Sequence, residues 1–339
     1  MINWNEFELK AHQPRIAVIG DLMLDHYYFC EPGGLTPEDP IAPKLRCVSE
    51  SHLVGGAANV ALNVASLGAH TTLLGVCGND QPGRLILQIL RPHLDVCDVA
   101  LDARKTTVKK RVVIHTCHPG RKIAHPEGRY ICRIDNEDTR AISSSIEEKF
   151  MQVLSSGFDM IVVSDYAKGV VTPQIIRILK GLPYIVDPKQ KKISYYGGAL
   201  VVTPNEAELA AAEAEDQLAQ VFLVTRSGTG ATLFSSSPCW SANKDALMAR
   251  VGGEIGWRME KAVSRNVPVC YREFGDPTGC GDSTIAGLAF GLACNLQLYD
   301  ATLFAMACGA CAVDYAGVHA VTLKEVMEEL NHKEYLDED

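Results

Sequence analysis

The chain has 339 residues, 47% of them hydrophobic and 22% charged, with a formal net charge of −9. That length and balance suit a soluble α/β protein of one large domain or two ordinary ones, and the acidic excess excludes broad electrostatic attraction to nucleic acid or an anionic membrane. No uncharged apolar run reaches the roughly 18 residues of a membrane span, and the opening MINWNEFELK has no basic region followed by an apolar core, so a cytosolic protein is expected.

In chain order, RIAVIG (15–20) reads as a buried strand, and GDLMLD then places Asp21 and Asp25 just beyond it. Residues 26–54 alternate polar and apolar side chains, as half-exposed strands do. AANVALNVASLG (57–68) reads as a helix closed by Gly68, with Gly55, Gly56 and Asn59 at its start. A strand at 71–76 and a helix at 82–94 follow. Residues 106–134 again alternate and are expected to pair with 26–54 into a small sheet lying over the site as a lid. Strands are read at 159–164, 183–187, 199–203 and 221–225, with a helix at 172–182. The stretch from about 235 to 268, rich in Ser and Gly, is expected to be an exposed excursion. STIAGLAFGLACNL spaces Ile285, Leu288, Ala289 and Leu292 as one helix face, and Cys308 and Cys311 fall in a further predicted helix. Buried strands alternating with helices describe a mostly parallel sheet covered on both faces, in one domain spanning 1–339, with ligands at the carboxyl ends of the strands. The twelve cysteines are scattered through apolar segments, which favours free buried thiols over a disulfide or zinc framework.

The chemistry concentrates in FGDPTGCGDS (274–283), where a helix begins. Its first N–H groups lack intrahelical partners and carry the positive end of the macrodipole, so Gly279, Cys280 and Gly281 can steady a phosphoryl group. Asp282 beside them can accept a proton from an attacking hydroxyl; it can equally be a helix cap. Asp25, Gly55, Gly56 and Asn59 suit a polyol, although ordinary turn chemistry also explains them. Asn205 and Glu208 share one face of a helical turn and can hold a hydrated Mg²⁺ through water, or simply begin a helix. Thr225, Ser227, Gly228 and Gly230 form a turn able to approach a nucleotide phosphate, or a plain hairpin. A P-loop and a dinucleotide fingerprint are both missing.

Taken together, GGAANVALNVASLGA (55–69), TPNEAE (203–208), VTRSGTGATLF (224–234) and DPTGCGDS (276–283) resemble the ribokinase-like (PfkB) carbohydrate kinases in motif and order. Within that family, GDLMLDHYY (20–28), LTPEDPIAP (35–43), TTVKKRV (106–112), SDYAKGVVT (164–172) and VDPK (186–189) are most similar to the heptose 7-phosphate kinases. The resemblance implies a ribokinase-like three-layer α/β/α fold with a small β-sheet lid. It implies ATP-dependent phosphorylation of the anomeric hydroxyl of D-glycero-D-manno-heptose 7-phosphate, on the path to ADP-heptose for lipopolysaccharide, a path that a separate protein would complete. Asp282 would be the base, Gly279 to Gly281 the anion hole, and Asp25, Gly55, Gly56 and Asn59 the sugar contacts. Asn205 and Glu208 would serve the Mg²⁺–phosphate region, and Thr225, Ser227 and Gly228 the nucleotide. Asp276 and Thr278 match the positions used by relatives for a monovalent cation such as K⁺, and lid sheets of relatives often pair into homodimers. A sugar phosphate also needs cations to read it, for which Lys109, Arg111, Arg133, Lys168 and Lys189 are the candidates, solvated side chains being the alternative. Cys280 stands where a small residue is usual, and 117–130 and 235–268 are longer than the family pattern.

Overall fold

The computed structural model describes residues 4, 7, 13–39, 41–115, 128–189, 193–211, 221–250, 262–269 and 275–331. The chain starts with β1 (Arg15–Gly20), which runs through Asp21 into the long strands β2 (Leu22–Leu35) and β3 (Pro43–Gly56). Helix α1 (Ala57–Ser66), β4 (His70–Gly78), α2 (Gln81–Leu90) and β5 (Val96–Asp102) follow, then β6 (Thr107–His115) and β7 (Gly128–Asn136). Next come α3 (Ser144–Leu154), β8 (Met160–Ser164), α4 (Pro173–Leu179), β9 (Tyr184–Asp187), β10 (Val201–Val202), α5 (Glu206–Ala211) and β11 (Val221–Thr225). The described chain closes with β12 (Ala231–Ser235), α6 (Lys244–Arg250), β13 (Val263–Val267), α7 (Cys280–Ala293), α8 (Leu298–Val313) and α9 (Leu323–Leu330).

The main sheet has nine strands in the order β13-β12-β11-β10-β9-β8-β1-β4-β5. It is parallel from β5 to β11, with β12 and β13 added antiparallel at one edge. Strand β1 explains why the sheet is covered on both sides: Ile16 and Val18 enter one apolar cluster with residues of α1, α2, α7, α8 and α9, while Ala17 and Ile19 enter another with α3 and α4. A continuous apolar run with side chains alternating between two helical layers gives the three-layer α/β/α architecture. Several helices begin where a polar side chain accepts an otherwise orphaned N–H, as Asp80 does from Gly83 for α2, Thr172 from Ile175 for α4 and Thr322 from Glu325 for α9. Helices α7 and α8 are buried on nearly every face and pack through small residues; a Cβ added at Gly287 would come within 2.6 Å of Cys308 Sγ.

The lid is a separate four-stranded sheet in the order β3-β2-β6-β7, as read from the alternating stretches. Three expectations change in detail. The strand read at 199–203 forms ladder pairs only at Val201 and Val202, although Leu200 and Thr203 also donate backbone hydrogen bonds to Tyr184 and Val186 of β9. The excursion expected near 235–268 is not wholly exposed: Cys239 and Leu247 are buried, and Leu298 and Tyr299 donate backbone hydrogen bonds to Ala242 and Trp240. Residues 251–261 of that stretch, and 116–127 of the long loop before β7, lie outside the described residues. Finally, the described cysteines are free and mostly buried or half-buried, but Cys47 and Cys132 are exposed, because the lid strands that carry them face solvent. Among the described residues no helix is long and apolar enough to cross a membrane.

Candidate active site

Asp282 lies in the first turn of α7, whose N-cap Gly279 adopts φ +81° and offers no side-chain cap. The left-handed cap is one reason for glycine at 279; the other is that an added Cβ would press within 2.9 Å of Asn59 Nδ2. That amide donates to Asp282 Oδ2 at 2.8 Å, and the Tyr166 hydroxyl donates to Oδ1 at 3.0 Å. Asn59 is itself fixed from behind: Asn63 Nδ2 donates to its Oδ1 at 3.2 Å, and the Val321 N–H donates to Asn63 Oδ1 at 3.0 Å. Asp282 is only 4% exposed, and burial, opposed by the Asn59 and Tyr166 hydrogen bonds, pushes its carboxyl up to about 6. At neutral pH it is therefore mostly ionised yet basic enough to take a proton. Cys280 next to it is pushed up to about 12 by burial and by the Asp276 and Asp282 carboxylates, so its thiol stays protonated, and its backbone N–H donates to Pro277 O at 3.3 Å.

On the lid side of Asp282, the structure brings together Asp25, Lys109, Arg111 and Lys189. Asp25 and Arg111, both nearly buried, form an ion pair, and the Arg111 guanidinium sits 5.3 Å from the Tyr27 ring centroid. Lys109 and Lys189 lie 5.2 and 5.7 Å from the Tyr166 ring centroid. Lys109 has its pKa lowered, chiefly by burial. Gly55 faces Asp25, where a Cβ would meet Asp25 Oδ2 at 2.8 Å, and Gly56 at φ +61° turns the lid into α1. Three of the candidate cations pair with carboxylates other than Asp25, Lys189 among them, with Glu208. Arg133, opposite Arg111 in the β6–β7 ladder, is exposed and bonds Asp135 at 2.9 Å, while Lys168 pairs with Glu137 at 2.6 Å. Asn59, expected to meet the sugar, donates its side-chain amide to Asp282.

On the other side of α7 a cavity of about 470 Å³ is lined by Asn205, Thr225 and Gly228, by Gly275, Pro277, Cys280, Gly281 and Thr284, and by Met306, Gly309, Ala310 and Val313 of α8. Asp282 does not line it; the helix start separates this chamber from the lid. A Cβ at Gly281 would meet no atom within 4 Å, so the missing side chain leaves cavity space free beside the first turn. A phosphate chain leading to a largely apolar end suits this shape. Ser227 begins the short 3₁₀ turn Ser227–Thr229 in the β11–β12 hairpin, so this segment is both a hairpin and part of the cavity wall.

Asn205 and Glu208 form a reciprocal cap: Glu208 N donates to Asn205 Oδ1 at 2.8 Å and Asn205 N to Glu208 Oε2 at 3.0 Å. Glu208 also pairs with Lys189. The structural explanation for the pair is thus realised; Asn205 lines the cavity, and an amide oxygen with a carboxylate suits Mg²⁺ held through water. Asp276 is a staple: Oδ1 accepts from Thr278 N at 2.9 Å and Oδ2 from Gly317 N at 2.8 Å.

Sequence reasoning passed over three contributors, Tyr166, Asn63 and Asp187, and placed a fourth, Asp21, without giving it a role. Tyr166 donates its hydroxyl to Asp282. Asn63 continues the amide relay, and its spacing of four residues from Asn59 in one helix is a signal that was available. Buried Asp21 accepts the N–H groups of Tyr166, Lys168 and Val170 at 2.8, 3.0 and 3.1 Å, which folds the 165–170 loop so that Tyr166 reaches Asp282. Asp187, at the end of β9, is held well above the usual carboxylate range by burial and by the Asp282 and Glu208 charges.

The sequence matches the family described as pfkB family carbohydrate kinase over residues 13–325. It is similar to the bifunctional protein HldE of Citrifermentans bemidjiense, 32% identical over 95% of this chain and 64% of that protein. The protein of the same name from Hyphomonas neptunium gives 32%, 95% and 64%. The chain thus spans about 64% of the length of these relatives. In three dimensions it is similar to Arabidopsis thaliana ribokinase complexed with ribose and ATP, at a TM-score of 0.66 and 18% identity, covering 94% of this chain and 99% of that one. Phosphofructokinase-2 from Escherichia coli in complex with substrates and products gives a TM-score of 0.67 at 20% identity, covering 93% and 97%. These structures share its ribokinase-like fold, and by the sequence match over residues 13–325 the chain belongs to the pfkB family of carbohydrate kinases.

Proposed function

We propose that this carbohydrate kinase transfers the γ-phosphoryl group of ATP to the anomeric hydroxyl of D-glycero-D-manno-heptose 7-phosphate, giving the 1,7-bisphosphate and ADP. The observation that carries the reading is the placement of Asp282 between a lid lined with cations and a glycine-walled cavity. Phosphoryl transfer asks mainly for positioning and charge stabilisation. Asp282 accepts the hydroxyl proton, the N–H groups at the start of α7 face the developing phosphate charge, and Asp25 with the Gly55–Gly56 backbone orients the sugar hydroxyls. Lys109, Arg111 and Lys189 supply the charge for the 7-phosphate, as a sugar phosphate demands. Similarity to the HldE proteins along 95% of the chain supports this substrate over other sugars.

Thr225 and Gly228 flank the nucleotide, with Ser227 in the same turn. Asn205 and Glu208 would hold Mg²⁺ through its waters, the ion neutralising charge on the ATP phosphates. The exposed lid side chains Leu35, Tyr130 and Ile134 (59%, 54% and 53% exposed) support a homodimer joined through the lid, checked by sedimentation of the purified chain.

The test is ATP turnover by the purified chain against a panel of sugars and sugar phosphates, with the product located by phosphorus NMR. Turnover of heptose 7-phosphate to a 1-phosphorylated product is expected. Turnover of a different sugar with none of heptose 7-phosphate overturns the substrate assignment, and nucleotide binding without turnover of any acceptor overturns the enzymatic one.

A further inference from the structure

The lid carries a second polar cluster on the face turned away from Asp282. Along β2 the pleat alternates: Asp25 faces Arg111, and Tyr27 and Phe29 pack with Val113, so His26 and Tyr28 project to the opposite face. In the β2–β3 ladder His52 lies directly across from His26, and Glu50 across from Tyr28. The His26 and His52 rings are 4.1 Å apart between centroids, and His26 Nε2 lies 2.7 Å from Glu50 Oε2. One donor atom from each of His26, Glu50 and His52 lies within 4.8 Å of the other two, the only such trio of His, Cys or acidic residues among the described residues.

We propose that His26, Glu50 and His52 bind one divalent first-row transition-metal ion of the Zn²⁺ type across β2 and β3, with water completing the coordination. Two imidazole nitrogens and one carboxylate oxygen suit such borderline ions and not Mg²⁺, which prefers oxygen ligands. Metal–ligand bonds of about 2.0–2.2 Å require the trio to draw closer together, and the 48% exposed Glu50 side chain has room to move. The ion takes the place of the proton shared by His26 and Glu50. Burial and the neighbouring His26 ring hold the His52 imidazole below the usual histidine value, which keeps it a neutral donor. The site lies one residue from Asp25 in β2 but on the other face, so the ion is a clip across the lid strands and not part of the phosphoryl-transfer machinery.

The experiment uses the full chain stripped of metal, with exposed Cys47 and Cys132 changed to serine so that thiols do not compete, and measures Zn²⁺ uptake against a chromophoric chelator. One equivalent should bind. Glu50→Gln and His52→Gln, each at a partly exposed position that the fold tolerates, should weaken it by at least the roughly tenfold that loss of even an outer-shell partner costs. Co²⁺ should give the visible absorption of a tetrahedral nitrogen and oxygen site in the parent protein and lose it in both variants. No bound equivalent, or the same isotherm and spectrum in the parent and both variants, overturns the proposal. Neither readout depends on kinase turnover, so the heptose assignment can fail without affecting it.

Discussion

Tyr166→Phe isolates one hydrogen bond to Asp282, the proposed base. The variant keeps the ring that faces Lys109 and Lys189 and removes only the hydroxyl 3.0 Å from Asp282 Oδ1. A hydrogen bond to a charged acceptor contributes about 1.5–3 kcal/mol, and one pKa unit corresponds to about 1.4 kcal/mol. Losing the donor should therefore raise Asp282 by about 1–2 units from its value of about 6. The sign follows from the base needing its ionised form: the acid limb of kcat/KM moves to higher pH by the same amount. The loss should be roughly three- to twenty-fold near pH 6.5 and vanish toward pH 9. The assay is steady-state kcat/KM for sugar phosphorylation across that range, for the parent and Tyr166→Phe. An unmoved acid limb, or a loss equal at every pH, would refute the assignment of Tyr166 as the group that keeps Asp282 ionised.

Asp282→Asn should cut turnover by about 10²–10⁴-fold and leave nucleotide affinity measured by calorimetry nearly intact. Because burial raises Asp282 in the folded chain from 3.8 to about 6, the folded state holds that proton more tightly, and the parent should lose stability relative to the variant as pH rises through this window. The linkage amounts to about 3 kcal/mol, read from urea midpoints at pH 4 and 8. Gly281→Val projects a side chain into empty cavity space; the melting temperature should hold while ATP affinity falls at least tenfold, about 1.4 kcal/mol. Arg111→Met strands the Asp25 charge in a nearly buried setting and should destabilise the chain by about 3–5 kcal/mol, seen in denaturant unfolding, whereas an exposed Arg133→Met should change it by less than about 1 kcal/mol.

What the sequence determined by itself is local. Apolar runs alternating with 3.6-residue patterns are enough to announce a two-sided parallel sheet, and the period-2 stretches at 26–54 and 106–134 announce the lid, because each periodicity is set by the geometry of a single element. The glycines before Asp282 mark a helix start for the same reason. Pairings between distant side chains were decided only by tertiary structure. Asn59 meets Asp282 across 223 positions, Tyr166 across 116, and Asp25 meets Arg111 across 86. No periodicity encodes such contacts; they arise when β1, β8 and α7 pack side by side and Asp21 folds the 165–170 loop toward Asp282. Burial likewise belongs to the assembled chain, and it is burial that raises the Asp282 carboxyl from the ordinary carboxylate range to about 6.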